Sequence, residues 1–188
     1  ICTYRLKGLT LSNVNIYNNK ASATGGGVRS GGSEGGSLTI NSGLFYGNTN
    51  IGVYVVDGTA TINGGKFGVS AYTNYSTYTV SRNTTSQLTV GTNAVVTVNS
   101  TSYPRFISSI TSSEAISANR GIVNKGTLTF TNTSENATDM YGTGTSICNE
   151  GTLNINGTFK IITSGKDGTT TLQKRLGIQN AATGTVNI

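Results

Sequence analysis

Apolar residues fall along this chain in short alternating clusters. Leu9-Thr10-Leu11, Leu38-Thr39-Ile40, Ala60-Thr61-Ile62, Leu88-Thr89-Val90, Leu128-Thr129-Phe130, Leu153-Asn154-Ile155 and Val186-Asn187-Ile188 share one form, with apolar outer positions around a Thr or Asn. Alternation with period two is the mark of a strand with one buried face. Successive clusters are 29, 22, 28, 40, 25 and 33 residues apart. A second apolar column follows five residues after each cluster at Ile16, Phe45, Phe67 and Val95, with Phe159 one residue early. Between the two columns lie bends rich in Asn and Gly, residues that supply the left-handed backbone of a sharp turn. A third element stands upstream, in Gly121-Ile122-Val123-Asn124-Lys125-Gly126, Ser146-Ile147-Cys148-Asn149-Glu150-Gly151 and Gly177-Ile178-Gln179-Asn180. Each unit therefore reads strand, Gly turn, strand, Asn/Gly bend, short strand.

A hairpin meander would alternate strand direction, and like motifs would not stack on themselves. Here the motif returns in the same polarity after a stretch long enough for one coil and too long for a hairpin. Stacking like on like puts apolar residues inside and Thr outside, and aligns Asn124, Asn149 and Asn180 as one structural column. Asn side chains at strand spacing bond to one another and to the backbone of the bend. The expected fold is all-β: a single-stranded parallel β-helix, or β-solenoid, of about six to seven coils and roughly 29 Å in length. It is expected to run through 1–188 as one continuous segment. Residues 99–119 fit either an irregular coil with Phe106 and Ile110 inside or a lateral loop. The first and last residues, Ile1 and Ile188, suggest a piece of a longer chain.

Composition narrows the function classes. Gly, Ser, Thr and Asn make up 99 of the 188 residues, charged residues are 11%, and Pro occurs once, at Pro104. Helical bundles and coiled coils are excluded by the shortage of helix formers. Disorder is excluded by 35% hydrophobic residues in regular clusters. No run reaches the roughly 18 apolar residues of a membrane helix. The net charge of +6 is spread thinly, as on a solvated face, and gives no nucleic-acid signature. Cys2 and Cys148 have no metal-ligand spacing, and no metal or other cofactor is expected.

Residues 8–28 carry a family resemblance. Gly8-Leu9-Thr10-Leu11 leads into Ile16-Tyr17-Asn18-Asn19 and then Gly25-Gly26-Gly27-Val28, and Phe45-Tyr46-Gly47-Asn48 repeats the middle part. This resembles the Phe-x-x-Asn and Gly-Gly-Ala-Ile repeats of polymorphic outer-membrane-type and adhesin-like surface proteins. Later units such as Gly151-Thr152-Leu153-Asn154-Ile155-Asn156-Gly157-Thr158-Phe159 resemble repeats of large microbial surface proteins with the pectate-lyase-like right-handed parallel β-helix. The resemblance implies a right-handed coil and an extracellular, cell-surface location.

The same fold hosts polysaccharide lyases and hydrolases, and fold alone grants no activity. Glycoside hydrolysis needs two facing carboxylates, and lyases of the fold bring clustered acids and a basic residue. The acids are Glu34, Asp57, Glu114, Glu135, Asp139, Glu150 and Asp167, and the chain has no His. Asp57 and Glu150 occupy comparable turns in different units. Glu135 and Asp139 form the nearest approach to a pair and lack a third partner. No catalytic residue is assigned.

Two features could bind a ligand. Tyr72, Tyr75 and Tyr78 punctuate a Thr/Ser/Asn stretch, and Tyr103 follows in Tyr103-Pro104-Arg105. Exposed rings stack on sugar faces, so these four are the candidate glycan-binding residues; the competing reading is packing against the flank of the coil. The outer Thr column at Thr10, Thr39, Thr61, Thr89 and Thr129 has one Thr per strand, with Asn154 and Asn187 in its place on the last two, which reads as ordinary β-branched strand surface and not as a flat ice-binding array. Six sequons, at Asn74, Asn83, Asn99, Asn132, Asn136 and Asn156, match the roughly six expected by chance from this composition.

The reading that follows is a non-catalytic, adhesin-like extracellular scaffold presenting loops to glycans or to a host or neighbouring cell surface. Two alternatives remain open. One is a structural subunit that self-associates end to end through open strand edges into a filament, sheath or stalk. The other is a fragment of a carbohydrate-active β-helix enzyme.

Overall fold

A computed structural model describes the chain except residues 4–6, 23, 33–34, 75–76, 81–82, 109–119, 132–138, 143–144, 158–159 and 163–176. For 72–74, 77–80, 100–103, 107–108, 139–142, 145 and 160–162 only the backbone is described. The described chain is all-β. Its elements are β1 (Cys2–Thr3), β2 (Leu9–Leu11), β3 (Val14–Tyr17), β4 (Val28–Ser30), β5 (Ser37–Ile40), β6 (Gly43–Tyr46), β7 (Ile51–Phe67), β8 (Val69–Asn74), β9 (Thr77–Val80), β10 (Ser86–Ser108), β11 (Arg120–Asn124), β12 (Thr127–Thr131), β13 (Asp139–Gly142), β14 (Thr145–Asn149), β15 (Thr152–Asn156), β16 (Lys160–Ile162), β17 (Ile178–Asn180) and β18 (Thr185–Asn187).

All but β8 and β9 join one sheet whose pairings are parallel, an arrangement compatible with a β-helix. The pairings fall into three ladders. The first runs β1-β4-β7-β10-β11-β14-β17. The second joins β2, β5, β7, β10, β12, β15 and β18. The third joins β3, β6, β7, β10, β13 and β16. The long strands β7 and β10 take part in all three; β7 turns from one ladder to the next on left-handed backbone at Gly58 and Gly65.

Period-two burial follows from this register. In the second ladder Leu38, Ile40, Ile62, Leu128 and Leu153 are buried, while the Thr and Asn between them stay partly open. Burying each of these large side chains contributes about 1.5–3 kcal/mol. Phe45, Phe67 and Phe106 are fully buried in the third ladder and stack face to face, with centroids 4.8 and 4.7 Å apart. The bends between second and third ladders use left-handed backbone at Asn13, Gly43, Gly65 and Gly157, as their composition predicts.

The structure corrects the expected columns in the middle of the chain. Leu88-Thr89-Val90 pairs with Val53-Tyr54-Val55 and so belongs to the first ladder. Its place in the second ladder is taken by Val96-Thr97-Val98, aligned with Ala60-Thr61-Ile62 and Leu128-Thr129-Phe130. The steps there become 36 and 32 residues. Val95 is therefore an exposed outward residue, and Phe106 fills the column assigned to it. Of the 99–119 stretch, 99–108 belongs to β10; the remainder, with Ile110, lies outside the described residues, as does Phe159.

Gly91-Thr92-Asn93 likewise turns between the first and second ladders, where Gly91, Gly126 and Gly151 stack. A Cβ on Gly126 would lie 2.3 Å from the Gly91 carbonyl oxygen, and one on Gly151 would lie 2.2 Å from that of Gly126. Only glycine lets successive turns approach so closely.

Candidate functional site

The chain leaves the parallel ladders once among the described residues. Directly after β7, β8 and β9 form an antiparallel pair of their own, with Tyr72 opposite Tyr78. Phe67 and Phe106 stack across this excursion, so the chain departs and returns without breaking the core. The Tyr-punctuated stretch thus forms a separate hairpin. Tyr75 lies outside the described residues, and Tyr103 is a backbone position within β10, remote in sequence from the hairpin. The orientations of Tyr72, Tyr78 and Tyr103 side chains also lie outside the description.

Sequence reasoning missed a second aromatic feature. Tyr17 and Tyr46 occupy adjacent strands of the third ladder and stack at 5.0 Å with rings 4° from parallel; Tyr17 is 49% exposed. Alternation carried the signal, since each Tyr follows an inward residue, Ile16 or Phe45.

The Asn column is bonded along its length. Asn124 Nδ2 donates to Asn149 Oδ1 and Asn149 Nδ2 to Asn180 Oδ1, both at 2.7 Å. The same amides reach bend carbonyls: Asn124 donates to Thr152, Asn149 to Gly151 and Thr185, and Asn180 to Gly184. The run stops at Asn124, whose Oδ1 is buried without a partner, because the next strand places Val90 there.

A parallel set lies at the corner after the third ladder. Asn19 Nδ2 donates to Asn48 Oδ1 (2.9 Å), Asn48 Nδ2 to Asn83 Oδ1 (2.8 Å) and Asn83 Nδ2 to Gln87 Oε1 (2.7 Å). Asn19 and Asn48 are the last residues of the Phe-x-x-Asn-like motifs, so the motif spacing was the available signal. Asn83 was hidden by the hairpin inserted before it. Both columns stabilise the corners by pairing amides that the turns bury.

The described carboxylates are dispersed. Asp57 Oδ1 accepts from the Gly32 amide at 2.8 Å, and Glu150 pairs with Lys125 at 3.5 Å on the surface. They share one corner, but the strands of β10 and β11 lie between them. Three strand steps separate them by about 14 Å, beyond the roughly 5–9.5 Å of glycosidase pairs. Asp139 lies in β13, paired by backbone register with Arg105 and Lys160, while Glu135 is outside the described residues. Among the described residues no group of three or more His, Cys, Asp or Glu could hold a metal, and no helix is long and apolar enough to cross a membrane. The chain matches no family model, no curated protein and no solved structure.

Proposed function

We propose that this chain is a non-catalytic extracellular scaffold, adhesin-like, built as a single-stranded right-handed parallel β-helix of about six to seven coils. Its ladders form the rigid part, and its excursions make contact with glycans or with a host or neighbouring cell. The observation that carries this reading is the antiparallel β8–β9 pair, a Tyr-bearing segment paired with itself outside the parallel sheet and beside the Phe67–Phe106 stack. Loops on a rigid frame are where binding residues concentrate. Handedness and surface location come from the repeat resemblance.

The test is a glycan array probed with the chain and with a Tyr72→Ala/Tyr75→Ala/Tyr78→Ala variant. Retention on a defined set of glycans by the parent, lost in the variant, is the expected result. Indifference of the parent to every glycan, or equal retention by the variant, rejects the assignment.

End-to-end association is a second reading, favoured by one observation. The outermost strands β17 and β18 bond only to β14 and β15 among the described residues, and added strands could continue the same parallel register. Regular fibres seen by electron microscopy would support it.

A further inference from the structure

Outward positions differ among the three ladders. Charged residues stand on the first at Arg29, and on the third Lys66 and Arg105 follow one another. The second ladder has another character. Its register brings Thr10, Thr39, Thr61, Thr97 and Thr129 into one outward column, which Asn154 and Asn187 continue on β15 and β18. Two residues upstream on each strand runs a second column, in which Thr59, Thr127, Thr152 and Thr185 align with Ser37 and Val95. The sequence reading found one Thr per strand because it placed Thr89 where Thr97 belongs and did not align this upstream position. Two residues downstream, Asn41, Asn63 and Asn99 make a third column. No charged residue stands in any of the three.

On β5, β7 and β12 both columns carry a hydroxyl, and the array they build with the single hydroxyls of β2, β10, β15 and β18 repeats at about 4.8 Å across the strands and about 6.8 Å along them. The lattice is held stiffly. Thr has restricted χ1, and side-chain bonds pin the margin, where Asn99 Nδ2 donates to Asn63 Oδ1 at 2.8 Å and Asn63 Nδ2 to Asn41 Oδ1 at 2.9 Å; within the Thr column itself Asn154 Nδ2 donates to Thr129 Oγ1 at 3.2 Å. No charged residue stands in the three columns to organise a competing hydration shell. The complement of such a surface is an uncharged, equally periodic array of oxygen atoms.

Size helps choose the occupant. The face measures about 29 by 17 Å, or roughly 500 Å². A stable protein partner commonly covers about 800 Å² on each side, so a second copy of this chain is poorly served. A crystal surface offers the same rows at every step and has little rotational freedom to lose on contact. We propose that the outward face of the second ladder binds ice, a property beyond the scaffold role and independent of the Tyr hairpin.

Ice recrystallisation, observed in the annealed frozen solution, tests this directly. The purified chain is expected to arrest grain growth at micromolar concentration where an equal mass of a globular control protein does not. Thr61→Lys/Thr97→Lys should lower that activity at least tenfold while Lys20→Ala, away from this ladder, leaves it unchanged. Should the Lys pair fail to fold by circular dichroism, Thr39→Tyr/Thr61→Tyr is read instead, since Tyr suits a strand but breaks the lattice. Full activity in the folded variant overturns the proposal, as does a parent no better than the control. Retention on microcrystalline cellulose without any effect on ice would also overturn it, in favour of a polysaccharide ligand.

Discussion

Asn48 donates through Nδ2 to Asn83 Oδ1 at 2.8 Å, and both side chains are wholly buried. Asn48 also accepts from Asn19 and donates to the Ile16 carbonyl, so one amide joins three successive turns. Asn48→Ala would remove the Nδ2 donor of the Ile16 carbonyl and the acceptor of the Asn19 amides, while Asn83 Oδ1 keeps the Asn48 backbone N–H. With about 1–3 kcal/mol for each buried group left unpaired, a loss of roughly 2–4 kcal/mol is expected in urea denaturation. A variant within 0.5 kcal/mol of the parent, about the effect of an ordinary surface change, would show that water replaces the amide freely.

Glycosylation should follow the same geometry. Asn83 opens a sequon but is buried and bonded, whereas Asn156 is exposed at the end of β15. In a glycosylating secretory host, mass mapping should find Asn83 unmodified and Asn156 able to carry glycan. Occupancy at Asn83 in folded protein would contradict the register around it.

The stacked phenylalanines should dominate local stability. Phe67 lies between Phe45 and Phe106, so Phe67→Ala removes both ring contacts and opens a cavity, at an expected cost of about 3–5 kcal/mol. Phe67→Leu should cost clearly less. Equal melting temperatures for Phe67→Ala and the parent would disprove the stacking.

Much of this arrangement was legible beforehand, and the errors have a physical origin. Leu128 over Leu153 over Val186, and Asn124 over Asn149 over Asn180, were readable because the two motifs recur together and in the same order in each unit, although the units differ in length. Leu88-Thr89-Val90 misled because first-ladder strands alternate in the same way as second-ladder strands, and alternation identifies a buried side without saying which ladder it faces. The hairpin between β7 and β10 disturbed the spacing that would have separated them. Tyr17 against Tyr46 was missed because it depends on register, which appears only once strands are paired.

Gly126 offers a steric test. Its Cβ would meet the Gly91 carbonyl oxygen at 2.3 Å and that of Ala94 at 2.4 Å, both backbone atoms that cannot swing aside. Gly126→Ala should lower the melting temperature by several degrees through crowding, whereas Gly35→Ala meets its nearest neighbour only at 3.7 Å and is strained by its φ of 60° instead. A neutral Gly126→Ala would mean that the adjacent turns separate easily.

The cysteines should remain unpaired with each other. Cys2 and Cys148 stand in one column of the first ladder, linked through Arg29, Tyr54, Thr89 and Val123. Five strand steps place them about 24 Å apart, far beyond the roughly 7 Å that a disulfide spans between Cα atoms. Cys2 is exposed and Cys148 buried, so a thiol reagent should modify Cys2 first and reach Cys148 on denaturation. An intrachain link found by non-reducing peptide mapping would defeat this arrangement.

The hairpin after β7 shows how this architecture can change over time. Chain lengths at the passage from third to first ladder differ widely, as in 18–27, 47–50 and 163–177, while the Asn124 and Asn149 turns each pass in two residues to the next strand. Lengthening a flexible connection costs only about 0.6 kcal/mol for each doubling, whereas an insertion beside Gly126 would break a backbone approach that nothing larger than hydrogen can occupy. Diversity should therefore gather along one edge of the molecule. Homologues would keep nearly invariant ladders and exchange whole segments at that edge, so that contacts could be rewritten without redesigning the frame.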